Sequence, residues 1–188
     1  MLKMIRKLLP LRKTRWIQLF QTQFLTCKGS FLFLEATGGT ADWASELMNQ
    51  PRFELLSDTV MEMRRRKKEE ALVLIYSGGV RSGTDAARLI ALGANAVVYG
   101  VAAALALGGE IGQSRIDWAS DRTPGERTDG LKSILNANAG EASMMARCTG
   151  KTRLQNLEPE DLRSVTLATS AATNIPVPGH NVTRARLI

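Results

Sequence analysis

Gly78-Gly79-Val80-Arg81-Ser82-Gly83 is the stretch of this 188-residue chain whose residue types and spacing best suit chemistry. Its glycines accept positive φ and let backbone N–H groups approach an anion closely, while a helix opening just after it would aim its N-terminal dipole at the same place. A phosphate group is the natural guest. Arg81 can add a two-pronged, charge-assisted contact, and the backbone amides around Gly100 and Val101 can supply a second wall. The alternative is structural: Gly78 and Gly79 merely make a tight turn, and Arg81 pairs with a carboxylate such as Asp85. Because two glycine turns follow two apolar runs at matching spacing, the phosphate pocket is the better reading.

Positioning these turns requires strands that end together. Phe31-Leu-Phe-Leu34 reads as a short buried strand running into Glu35-Ala-Thr-Gly38-Gly39-Thr40. Leu55, Leu56, Thr59, Val60 and Met63 recur at helical spacing between Phe53 and Glu70, and the cationic tail Arg64 to Lys68 fits a solvated helix end. Ala71 to Ile75 is a second strand, Thr84 to Leu92 a short helix ended by Gly93, and Ala96 to Tyr99 a third strand. Strand, helix, strand, helix, strand at this cadence means parallel βαβ units. Farther on, Leu131 to Cys148 reads as a helix ended near Gly150, and Pro159 with Glu160 and Asp161 opens another. Met144, Met145 and Cys148 are expected in the core.

Composition narrows the function classes. The formal charge of +7 resides in residues 1–28, where Lys3, Arg6, Lys7, Arg12, Lys13, Arg15 and Lys28 meet no acid, and the rest of the chain is formally neutral. That basic segment is read as a leader unrelated to the fold, with a short amphipathic helix or an organelle-targeting peptide as the alternative. Without a basic stripe interleaved with aromatics, a nucleic-acid surface is not expected. No apolar run approaches the roughly 18 residues of a membrane span. Cys27 and Cys148 match no close-spaced metal or redox pattern, so no metal site is expected and a cytoplasmic location is the default.

The run from Gly78 through Asp85, Leu92-Gly-Ala-Asn-Ala-Val-Val-Tyr and Gly100 resembles the phosphate-binding signature of FMN-dependent (β/α)8 barrels. Hydroxy acid oxidases, inosine-monophosphate dehydrogenases and glutamate synthases share that signature, so the flanks must choose among them. Hydroxy acid oxidases need a catalytic histidine after the sixth strand, where this chain has Glu35 to Thr40; its one histidine is His180, in the tail 179–188. The Gly38-Gly39-Thr40 turn, though followed by Ala41, and the stretch from Gly140 to Arg163 are instead similar to glutamate synthase-like proteins, including N-methylglutamate synthase-type subunits.

That resemblance implies an α/β domain over residues 29–178, the C-terminal portion of a TIM barrel from about strand six to strand eight, followed by extra C-terminal helices. Barrels of this class usually need about 250 residues. It implies FMN as cofactor, with Gly78, Gly79, Val80, Arg81, Gly100 and Val101 around its phosphate and Gly38, Gly39 and Thr40 lining the ring or substrate side. An iron–sulfur cluster is not expected, since no cysteine lies between Gly108 and Arg127. The family reaction is reductive amination of 2-oxoglutarate through 2-iminoglutarate to glutamate. No catalytic acid or base can be named, the isolated chain is expected to be incomplete and inactive, and a partner chain would have to supply the missing strands. Two other outcomes are an FMN- or phosphate-binding remnant without catalysis and a fragment of an FMN-dependent 2-hydroxy acid dehydrogenase-like barrel.

Overall fold

Three short strands set the frame of the computed structural model, which describes residues 31–36, 51–112, 116–118 and 121–179. The basic segment 1–28, the Gly38-Gly39-Thr40 turn and His180 lie outside the described residues. Strands β1 (Phe31–Glu35), β2 (Val73–Ser77) and β3 (Ala96–Val98) form a parallel sheet in sequence order. Helix α1 (Phe53–Arg65) connects the first pair and α2 (Gly83–Ala91) the second, so the chain is an α/β fold built from successive βαβ units.

Side-chain alternation explains which face the helices cover. Leu34, Leu74 and Tyr76 are fully buried and pack with Leu56, Val60 and Met63 of α1 and Leu89 of α2, while Leu32 and Val97 lean on the same cluster. The alternate residues Phe33, Ile75 and Ser77 point the other way and are only half-buried. Tyr76 is a polar residue at the centre of that core, satisfied by donation from the Arg52 amide to its hydroxyl at 2.7 Å.

Helix α1 stops at Arg65, five residues before the end expected at Glu70, and Lys67 takes a left-handed φ of 54° in the turn that follows. Its cationic end is neutralised locally: Glu62 takes Arg65 and Arg66, and Arg64 pairs with Glu69. The hydrogen bond from Arg65 chiefly holds the Glu62 carboxyl down at about 2. Strand β2 begins at Val73 instead of Ala71, because Ala71 is held in a turn by its bond to the Lys68 carbonyl. Asn95 fixes the start of β3 against it, its side-chain oxygen accepting from the Leu74 amide at 2.7 Å while its own amide donates to the Leu74 carbonyl at 2.8 Å.

After β3 come α3 (Val101–Ala106), an antiparallel pair β4 (Gly109–Ile111) and β5 (Ile116–Trp118), and the long α4 (Pro124–Cys148). Helix α4 begins seven residues before Leu131, where the sequence pattern placed its start. The cause is a full capping box between Thr123 and Glu126 with Pro124 at the first helical position. It meets α2 through small residues, Ala142 and Ala146 against Ala87 and Ala91, with Leu157 closing the cluster.

Three core or helix expectations are corrected. Cys148 is exposed and Met144 is 58% exposed, because the packed face of α4 runs through Ala142 and Ala146; Met145 alone leans on that cluster. Pro159 opens only a single 3-10 turn, Pro159–Asp161, after which Leu162 is extended. The next helix is α5 (Leu167–Thr173), tied to α1 by the Ser57 hydroxyl donating to the Thr173 carbonyl at 2.9 Å.

Candidate functional site

The carboxyl ends of the three strands are level. Glu35 lies beside Ser77 and Ser77 beside Val98 in the parallel register, so the segments that follow leave the sheet from one rim. The Ala36 amide then donates to the Ser77 carbonyl at 2.9 Å, extending the pairing by one step before the rim opens. Open parallel sheets place their ligands at such an edge.

Two glycines shape the first loop. Gly78 at φ 119° and Gly79 at φ 70° adopt backbone that side chains disfavour, and both are buried. Val80, 1% exposed, inserts into the sheet core and anchors the loop, which leaves Arg81 half-buried at the edge. Across the rim, Gly100 precedes α3 as its N-cap and Val101 is fully buried. The Tyr99 hydroxyl donates to the Ser82 carbonyl at 3.3 Å and so ties the two glycine loops together. Burial raises the Tyr99 hydroxyl above its ordinary range, with the carboxylates of Glu141 and Asp85 adding to the shift.

The start of α2 differs from the sequence expectation in one respect. Its N-terminal donors are taken by the protein itself: the Gly83 amide donates to Glu141 at 2.9 Å, the Asp85 amide to the Ser82 hydroxyl at 3.2 Å and the Ala86 amide to the Ser82 carbonyl at 3.2 Å. The Thr84 hydroxyl also donates to Glu141. That bond leads the causes that hold the Glu141 carboxyl below its ordinary range. The dipole end expected to face a phosphate is therefore engaged by a carboxylate from α4. What the rim offers an anion is the Gly78–Arg81 loop.

Arg81 does meet Asp85, as the structural alternative required. The Arg81 amide reaches Asp85 Oδ2 at 3.3 Å and its Nε lies 3.5 Å from the same oxygen. This contact holds Arg81 against the first turn of α2. Positive φ at both glycines, a cationic side chain at the rim and a second loop alongside fit the phosphate end of a nucleotide-type cofactor. Gly38, Gly39 and Thr40, expected on the ring side, lie outside the described residues. Sequence reasoning found the Arg81–Asp85 pairing but missed Glu141 and Tyr99.

Elsewhere, a hollow of about 220 Å³ lined by Val60, Met63, Ile90, Asn95 and Gln155 among others sits at the opposite, amino-terminal edge of the sheet. It is remote from the glycine loops. No group of three or more His, Cys, Asp or Glu among the described residues could hold a metal ion, and no described helix is long and apolar enough to cross a membrane.

Comparison with known proteins assigns the chain to a family. Residues 53–117 match the family model of FMN-dependent dehydrogenases, a span that includes both glycine loops. A glutamate synthase large subunit-like protein of Rhizobium meliloti (strain 1021) is 30% identical, the match covering 76% of this chain and 39% of the relative. The chain thus spans well under half the length of that relative. Among solved structures, the flavin-binding domain of baker's yeast flavocytochrome b2 is similar at 23% identity and TM-score 0.48, over 69% of this chain and 28% of that one. A flavocytochrome b2 variant with pyruvate bound is similar at 23% identity and TM-score 0.49, with the same coverage of 69% and 28%. Superpositions this loose assign no activity. Taken together, the family model across both glycine loops and the relative matched over three quarters of the chain identify it as a member of the FMN-binding, glutamate synthase-like family.

Proposed function

We propose that this chain binds the phosphate of FMN at the carboxyl rim of β2 and β3, as part of an oxidoreductase of the glutamate synthase type. The observation that carries this is the level register of Ser77 and Val98, which brings the positive-φ loop Gly78-Gly79 alongside Gly100 and Val101. Amides of Gly79 and Val80 with the Arg81 guanidinium hold the phosphate on one side, and the loop at Gly100 and Val101 closes the other. Gly38, Gly39 and Thr40 then line the ring or substrate side.

When bound, the flavin supplies the hydride chemistry, and this chain's part is to hold and orient it. The reaction served is reductive amination of 2-oxoglutarate through 2-iminoglutarate to glutamate. The three parallel strands act as strands six to eight of a barrel, whose inner face is the half-buried one bearing Phe33 and Ile75. Further strands from a partner chain complete that face and bring the catalytic acid or base; the assembly works in the cytoplasm.

A second reading, a 2-hydroxy acid dehydrogenase-like fragment, fits the match of residues 53–117 to FMN-dependent dehydrogenases equally well. The two part on substrate. The chain, together with the partner that completes the barrel, is saturated with FMN, freed of unbound cofactor, reduced with dithionite for the first assay or left oxidised for the second, and followed by its visible spectrum. Retained flavin reoxidised by 2-oxoglutarate with ammonia supports the first reading. Flavin reduced by a 2-hydroxy acid supports the second, and no retained flavin contradicts both.

A further inference from the structure

Asp85 is a carboxylate with 7% of its side chain exposed, placed one turn into α2 directly behind the glycine loop. A charge so far out of water must be matched by donors or cations, and here the match is specific. Oδ2 accepts from the Arg81 amide at 3.3 Å and lies 3.5 Å from the Arg81 Nε, so one oxygen grips the backbone and the side chain of the same residue. The other oxygen, Oδ1, lies 3.9 Å from Nη1 of Arg88. Asp85 is itself fixed, since its amide donates to the Ser82 hydroxyl that caps the helix.

We propose that Asp85 is a positioning residue for phosphate recognition: it clamps Arg81 at two points, so that the guanidinium faces the rim already oriented. The inference rests on the FMN-phosphate reading above and adds a residue to it. The amide hydrogen bond fixes where the arginine leaves the chain, and the ion pair at 3.5 Å draws its guanidinium toward Asp85. A flexible surface arginine would lose that freedom on meeting a phosphate, whereas a clamped one has already lost it. The charge of Asp85 is offset by Arg81 and Arg88, which lie 3.5 Å and 3.9 Å from its two oxygens.

The test compares FMN with riboflavin, which has the same ring and no phosphate, by flavin fluorescence titration of the whole chain. Wild type, Asp85→Asn, Arg81→Ala and the double variant are measured. The expected result is about a tenfold loss of FMN affinity in Asp85→Asn with riboflavin unchanged, and no further loss when Asp85→Asn is added to Arg81→Ala. Equal weakening of both flavins, or additive losses, overturns the clamp while leaving the phosphate site standing. Wild type binding FMN no tighter than riboflavin overturns the phosphate site and the clamp with it. Should Asp85→Asn not fold, Asp85→Glu serves instead: it keeps the charge and shifts the carboxylate away from the Arg81 amide and Nε while leaving Arg81 itself intact. Loss of most of the FMN preference in that variant supports the clamp, and full retention overturns it.

Discussion

Glu141 on α4 accepts a hydrogen bond from the Gly83 amide at 2.9 Å across 58 residues of sequence, placing a carboxylate at the first turn of α2. A negative charge there complements the helix dipole and satisfies amides that would otherwise lack partners. Because these bonds hold the folded carboxyl below its ordinary value of 4.5, stability from Glu141 is present above that pH and is lost as pH falls through the lower folded value. Glu141→Gln should therefore cost roughly 1–2 kcal/mol at neutral pH, and much less in acid, in urea unfolding curves taken at both pH values. A cost independent of pH would contradict the assignment.

Gly83 permits that contact by having no side chain. A Cβ there would lie 2.7 Å from the Ala142 amide nitrogen and collide with the Asn138 carbonyl, both on the backbone of α4. Gly83→Ala should push the two helices apart and cost about 2–4 kcal/mol, read as a lowered Tm. Gly140, with open space around it, is the control, and Gly140→Ala should be neutral or slightly stabilising within its helix.

Tyr76 carries its hydroxyl into the sheet core, and burial raises it from 10.0 to about 12. Its raised folded value means that stability is fully present below pH 10 and is lost progressively as pH rises toward 12. Tyr76→Phe should cost about 1 kcal/mol at neutral pH, since the Arg52 amide loses its acceptor, yet show a shallower decline between those two pH values. Parallel alkaline profiles for the two proteins would contradict it.

Thr123 and Glu126 start α4 by exchanging side-chain and backbone hydrogen bonds, with Glu126 accepting from the Thr123 amide at 2.8 Å. Thr123→Ala should lower stability by about 1 kcal/mol and fray the first turn, visible as faster amide exchange around Arg127. Unchanged exchange there would show that α4 is held by its packing on α2 alone.

The cadence of strands and helices was legible because each apolar run ends in a glycine turn, as at Ile75 to Gly79 and at Val98 to Gly100. The glycine loops could be read for the same reason, since glycine permits the positive φ found at Gly78 and Gly79. The start of α4 carried its own signal, Thr-Pro-Gly-Glu, but the apolar spacing that begins at Leu131 outweighed it. Cys148 looked like a core residue by type, whereas only the position of Ala146 against α2 reveals that it lies off the packed face. Glu141 had no local cue at all: its partner is far away in sequence, and a glutamate in a helix usually faces water. The Pro159 segment had the composition of a helix start, yet Leu162 continues in an extended conformation after one 3-10 turn.

The central claim is that the loop ending in Arg81 grips the phosphate of FMN. The direct measurement is to load the chain and Arg81→Ala with excess FMN, remove what is unbound, and record the visible flavin spectrum and the Tm of each. The account predicts retained flavin in the parent chain and at least tenfold weaker retention in an Arg81→Ala chain that is still folded. A folded parent chain that retains no flavin, or a variant that retains as much, would contradict it.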